Sequence, residues 1–193
     1  MTYSLPNNSV VKVHDIFEPL PEFMKNADCI FTDLPYNLAL LNGFYTKAER
    51  TDYKSNFECF YKRLFECIDE IHPDKLFLEI GKEYLAELIM ECKKRYKYVT
   101  FYNSSYYHKK DNKCYVIQAS EKRMKLPFDY MDEENIIQYI CENVDYECIG
   151  DLCMGKGLVG WYSYINGKPF VGTELNKKRL AVLVDKITKH QKA

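Results

Sequence analysis

Cys148-Ile149-Gly150-Asp151-Leu152-Cys153-Met154-Gly155-Lys156-Gly157 is the stretch on which the fold turns. Residues 148–151 read as a short buried strand that ends in an acid, and two glycines follow. A helix is expected over 157–165 and a second strand over 169–174, closing on Glu174. Together they make one β-α-β unit, in which a glycine pair after the first strand lets main chain approach a ligand closely. An acid at the end of the second strand suits the two hydroxyls of a ribose. Gly155-Lys156-Gly157-Leu158-Val159-Gly160 also meets the dinucleotide-binding glycine pattern, so a nicotinamide-dependent oxidoreductase is one reading. The motif's late position opposes it, since a dehydrogenase in the usual order needs several further strands. A glycine-rich turn that holds no ligand is the plainer alternative.

The same alternation extends outward from this unit. Residues 10–15 read as a strand ending at Asp15, a Pro-rich helical stretch follows, and 27–32 form a buried strand running into Asp33. Residues 38–54 show no clean period and are rich in Asn, Gly, Tyr and Thr, which predicts a mobile loop. From 56 to 71, Phe57, Phe60, Leu64, Cys67, Ile68 and Ile71 recur at helical spacing. A strand over 75–80, punctuated by Gly81, precedes a helix over 82–95 with Leu85, Leu88, Ile89 and Cys92 on one face. Strands over 98–102 and 114–119 flank a polar loop, and 132–143 make a helix with an acidic first turn. A basic helix over 176–189 ends the series. Strands alternating with helices at this spacing predict an α/β chain with a largely parallel sheet, whose ligands bind at the carboxyl ends of the strands.

Composition narrows the class. The 193 residues are 47% hydrophobic, with seventeen Tyr and eleven Phe, which argues for one packed globule. No apolar run approaches the roughly 20 residues that a membrane helix needs. The first residues lack a basic or apolar leader, so the default compartment is the cytoplasm. Eight cysteines contain no C-x-x-C pair, and His14, His72, His108 and His190 are scattered, so reduced core thiols are expected and no metal. The net charge of −1 hides an asymmetry. Residues 82–125 carry eleven Lys or Arg against five acids, and 168–193 carry seven against two. Those segments could face a polyanion or simply water, yet the whole is not the strongly basic chain of an autonomous DNA binder.

A second segment carries chemistry: Thr32-Asp33-Leu34-Pro35-Tyr36-Asn37, again directly after a buried strand. An aromatic amine is a poor nucleophile because its lone pair is delocalised into the ring. A carboxylate and a main-chain carbonyl that accept its two N–H hydrogens stabilise the charge developing in the transition state. Pro35 stiffens such a turn and Tyr36 offers a stacking surface. An ordinary Asp turn with a core aromatic is the alternative.

Taken together, the two segments resemble the amino-methyltransferases that make N6-methyladenine or N4-methylcytosine. Asp33-Leu34-Pro35-Tyr36 matches three of the four positions of their [DNS]-P-P-[YFW] hallmark, and 151–157 keep the Asp and both glycines of D-P-F-x-G-S-G. The catalytic turn precedes the cofactor motif, as in the permuted β-class DNA enzymes. The resemblance implies a single-domain, Rossmann-like methyltransferase fold over 1–193, with a mostly parallel seven-stranded sheet, one antiparallel strand and helices on both faces. It implies S-adenosylmethionine as cofactor. Asp33, Leu34, Pro35 and Tyr36 would hold the target amine, adenine N6 in DNA before other targets. Asp15, Asp33, Asp151, Cys153, Gly155, Gly157, Glu174 and Asn176 would line the cofactor. The 38–54 segment would serve as a lid.

Leu34, Leu152, Cys153 and Leu158 depart from the family pattern, and no insertion is large enough for a target-recognition domain. His108, Lys109, Lys110, Lys122 and Arg123 are the candidate nucleic-acid contacts. Specificity would otherwise come from a partner subunit or a second copy of the chain. The competing functions are a non-catalytic methyltransferase-like binding module and an RNA or protein-amide N-methyltransferase.

Overall fold

Alternation along the central strands divides the core between two faces of one sheet. The computed structural model describes residues 1–50 and 56–192. The chain begins with a hairpin, β1 (Thr2–Leu5) and β2 (Ser9–Val13), and a 3₁₀ turn over Glu22–Asn26 leads into β3 (Cys29–Asp33). Then come α1 (Leu38–Lys47), α2 (Phe57–Ile71), β4 (Lys75–Ile80) and α3 (Leu85–Lys93). A long hairpin of β5 (Tyr98–Tyr106) and β6 (Lys109–Ser120) precedes β7 (Met131–Asp132) and α4 (Glu133–Asn143). The last quarter is β8 (Ile149–Asp151), α5 (Leu158–Ile165), β9 (Phe170–Glu174) and α6 (Lys177–Gln191).

The strands lie in the order β1-β2-β9-β8-β3-β4-β6-β5-β7. Ile30, Leu76, Leu78, Ile80, Ile117 and Ala119 point into the layer shared with α1, α2 and α3. Cys29, Phe31, Phe77 and Val116 point to the other side, against α4, α5 and α6. Period-two alternation on β3, β4 and β6 thus buries both faces, as a helix-covered sheet requires.

Three expectations need correction. The sheet has nine strands among the described residues, not seven, and β1 and β6 both run against the others. The additional strands are short edges: β1 returns through Asn7 and Asn8, both at positive φ, and β7 has two residues, too few for any hydrophobic period. The polar loop before residue 114 is also mostly strand. β5 and β6 continue to a two-residue turn, Tyr107-His108, in which both residues are left-handed (φ 58° and 53°) as a tight hairpin demands. Finally, the segment expected as a mobile loop contains α1. Asn37 caps that helix by accepting from Leu40 N–H, and Leu41 and Tyr45, four residues apart, are buried. Residues 51–54 of that segment lie outside the described residues. Among the described residues no helix is long and apolar enough to cross a membrane.

Candidate functional site

β8 and β3 are neighbours at the centre of the sheet, and the chain leaves them in opposite senses. From β8 it passes through α5 to β9, on one side; from β3 it passes to α2 and β4, on the other. That divergence is a topological switch point, where open α/β sheets leave a crevice at the carboxyl ends of their strands. A cavity of about 340 Å³ occupies it.

The two chemistry-bearing segments meet there. Asp33 and Pro35 enter from the end of β3; Asp151, Leu152, Cys153, Met154 and Gly155 enter from the loop after β8. Glu174 closes the end of β9, and α1 supplies Leu41, Phe44 and Tyr45 as an apolar wall. Tyr107, at the hairpin tip and largely exposed, reaches the same cavity, as does Arg179 from the first turn of α6.

The loop after β8 is held by its own acids. Asp151 accepts from Cys153 N–H at 3.0 Å, and Glu174 accepts from Gly155 N–H at 2.7 Å and from Asn176 N–H at 2.9 Å. Gly155 stands at φ +55°, with an Arg179 nitrogen 3.0 Å from where a Cβ would lie. Gly157 serves packing: it is off the cavity wall at φ +82°, and a Cβ would lie 2.6 Å from Leu183. Asp15 and Asn176 also stand behind the wall and position α1. Asp15 accepts from the Tyr45 hydroxyl at 2.7 Å, and the Asn176 amide donates to the Lys47 carbonyl at 2.9 Å.

The turn after β3 is equally specific. Leu34, where the family pattern has proline, brings an additional N–H, and that group donates to the Glu79 carbonyl at 3.1 Å. The Tyr36 ring is not presented to the cavity. Its hydroxyl donates to the buried Glu79 carboxyl, its ring meets Tyr106 edge-on at 5.7 Å, and Gly81 leaves room for its Cβ.

Acids crowd this end of the sheet. Asp33 and Glu79 sit side by side in the β3–β4 register. With Glu133, at the start of α4, they bring three carboxyl oxygens within 4.8 Å of one another. Asp33 is open to the solvent of the cavity, yet the enclosing walls and the neighbouring Asp151 charge push its pKa up to about 7, against the pull of Arg179. Burial likewise lifts Asp151 to about 7, opposed by the Cys153 N–H and Thr32. Burial, then Asp33, lifts Glu133 to about 8. Glu79 is wholly buried and held well above the carboxylate range by burial and by Asp33 and Glu133.

The nucleic-acid candidates separate. The tip of the β5–β6 hairpin carries exposed His108, Lys109 and Lys110 at the cavity end of the sheet. His108 is tied to α4 through Asp132 and, at 2.8 Å, Glu134. Lys122 and Arg123 follow Ser120, which pairs with Lys75 at the start of β4 and so lies at the opposite end from Asp33. At about 3.3 Å per residue that displacement exceeds 10 Å, because β6 runs against β4.

Glu79, Glu133, Arg179 and Tyr107 belong to the cavity region but were not predicted from sequence; α1 lies in the 38–54 segment expected as a lid, though not as a helix. Two left a trace. Glu79 is an acid inside the apolar run 75–80, and Arg179 is a cation in the first turn of a helix, where the macrodipole disfavours it.

No family model matches the chain, and no curated protein matches it in sequence. Solved structures do match. PvuII DNA methyltransferase, cytosine-N4-specific, aligns with a TM-score of 0.66 at 11% identity, over 96% of this chain and 92% of its own. TTHA0409 of Thermus thermophilus, assigned as a DNA modification methylase, aligns at 0.64 and 13% identity, over 93% and 94%. M1.HpyAVI aligns at 0.59 and 15% identity, over 92% and 98%. M1.HpyAVI and TTHA0409 have each been solved with S-adenosylmethionine. The chain shares the fold of these DNA methyltransferases.

Proposed function

We propose that this chain is an S-adenosylmethionine-dependent DNA amino-methyltransferase of the permuted β-class, with adenine N6 as its first target. The observation that carries this is the meeting of Asp33 and the Asp151–Gly155 loop in one cavity at the switch point. The residues suit the cofactor: Glu174 and Asp151 offer acceptors, Gly155 brings main chain to the wall, and Phe31, Leu41 and Phe44 offer apolar surface for a planar ring. When bound, S-adenosylmethionine would supply an activated methyl group to the amine nitrogen.

This chain's own residues prepare the nitrogen. Asp33, on the wall, accepts from one N–H, and the main-chain carbonyl of Leu34, whose side chain is buried behind the turn, accepts from the other, so the lone pair is drawn away from the ring. Pro35 stiffens the turn that sets both acceptors. Tyr36 acts from behind, through Glu79, and Tyr107 reaches the cavity from the hairpin tip. Lys109 and Lys110 supply phosphate contacts beside it, whereas Lys122 and Arg123, more than about 10 Å down the sheet, would reach phosphates farther along the duplex. A duplex target would be flipped into the cavity, costing roughly a few kcal/mol. Sequence preference would come from a partner subunit or a second copy.

Transfer of labelled methyl from S-adenosylmethionine tests this, offered DNA, RNA and protein and compared with Asp33→Ala. Label in wild-type DNA that is lost in the variant supports the proposal, and hydrolysis to nucleosides separates methyladenine from methylcytosine. Cofactor binding without transfer to any substrate would leave a non-catalytic binding module instead.

A further inference from the structure

Methylation requires only acceptors for the amine, yet the cavity holds more acid than that. Asp33 and Glu133 both line it, from opposite elements, and no hydrogen bond joins them among the described residues. Glu79 stands beside them, wholly buried; one of its oxygens accepts from Tyr36, and the other has no hydrogen-bond partner. Three carboxyl groups this close cannot all be ionised, so protons must be shared among them.

Resting on the methyltransferase reading, we infer that Asp33 and Glu133 recognise the two adjacent atoms of an aminopyrimidine ring edge, the amino group and the ring nitrogen beside it. That edge is common to adenine and cytosine. It presents an N–H donor next to a lone-pair acceptor, and two carboxyl groups match it only in unlike protonation states. Ionised Asp33 accepts from the amine; neutral Glu133 donates its O–H to the ring nitrogen. Glu133 is therefore a specificity residue that reads the face of the base.

The surroundings of Glu133 agree with a neutral acid. Asp33 faces it from β3, Glu79 from β4 and Asp151 from β8; Asp132 and Glu134 adjoin it on its own helix. His108, at the hairpin tip, acts in the opposite direction, and Arg179 lies on the Asp33 side. Charge and burial thus keep the proton on Glu133 up to about pH 8, while Arg179 favours ionisation of Asp33.

The experiment measures kcat/KM for methyl transfer to oligonucleotides bearing the natural base or its analogue with C–H in place of that ring nitrogen (1-deazaadenine or 3-deazacytosine). The expected loss on the analogue is about ten- to a hundredfold, as when a buried donor loses its partner. Glu133→Ala should show a similar loss on the natural base and no further loss on the analogue. Glu133→Gln keeps a donor, so it should retain most activity and should not lose rate above about pH 8 as the wild type does. Thermal denaturation and cofactor binding confirm that both variants are folded. Equal wild-type rates on base and analogue, or losses that simply multiply in Glu133→Ala, overturn the assignment while leaving the methyltransferase reading intact. Absence of transfer to any natural base overturns the methyltransferase reading, and this assignment with it.

Discussion

Two aspartates stand at the two ends of one strand and are used in opposite ways. Asp28, just before β3, accepts from Cys148 N–H at 2.9 Å and from Glu147 N–H at 3.1 Å, and so fastens β3 to the start of β8. Asp33, five positions on, accepts no hydrogen bond among the described residues and faces the cavity. A carboxylate that caps main-chain donors contributes to stability. One held without partners, beside Asp151, costs stability and remains available to a ligand. The β3–β8 pair is thus structural at its beginning and, on the proposed function, chemical at its end.

Exchange of side chains should break this contrast cleanly. The largest expected effect is on Asp33→Ala, which should lower methyl transfer about a thousandfold or more while leaving the protein folded. Asp28→Ala should instead lose roughly 2 kcal/mol of stability in urea unfolding, with transfer per folded molecule nearly unchanged. A folded Asp28→Ala protein as inactive as Asp33→Ala would abolish the distinction.

Asp151→Asn sharpens it next. The folded-state pKa of Asp151 is raised, to about 7 from an ordinary 3.8, so the stability it contributes is present below about pH 4 and lost as pH rises to 7. The amide removes that loss and can still accept from Cys153 N–H. Unfolding at pH 8 should become more costly by on the order of 1–3 kcal/mol, with little change at pH 4 and with activity lost. Calorimetry at the two pH values checks the sign.

Arg179→Ala should produce a smaller, directional effect. Arg179 favours the ionised form of Asp33, so the rise of kcat/KM around pH 7 should move to higher pH in the variant. Smallest of all, Tyr45→Phe removes the bond to Asp15 and should cost about 1 kcal/mol or less, read as earlier protection loss in α1 by hydrogen exchange.

The parts of the fold legible in the sequence were those with a period. The α2 face from Phe57 to Ile71 and the β8–α5–β9 unit declare themselves by spacing, and their bounds fall within a residue or two of expectation. The edges did not. β7 is too short to carry a pattern, and α1 owes its place to Tyr45–Asp15 and Asn176–Lys47, which join residues distant in the chain. The site shows the same division. Asp33, Asp151 and Glu174 were visible because each ends a strand. Tyr36 lies off the cavity wall, because Glu79 and Gly81 on the partner strand capture its side chain, and no local pattern announces those contacts. Glu133 looked like a helix-start acid, and its neighbours across the sheet are what set its protonation.

The order of the two central strands has a consequence for synthesis. β3 is made early, but Cys148, which leads into its partner β8, follows Asp28 by 120 positions. At 5–20 residues per second the ribosome takes roughly 6–24 s to cover that interval. Throughout it, β3 presents a free edge on the side that β8 will occupy, flanked by the apolar residues Ile30 and Phe31. The nascent chain therefore completes its acceptor turn long before it can close the crevice around it. That edge exists only while the chain is incomplete, because β8 covers it in the finished protein.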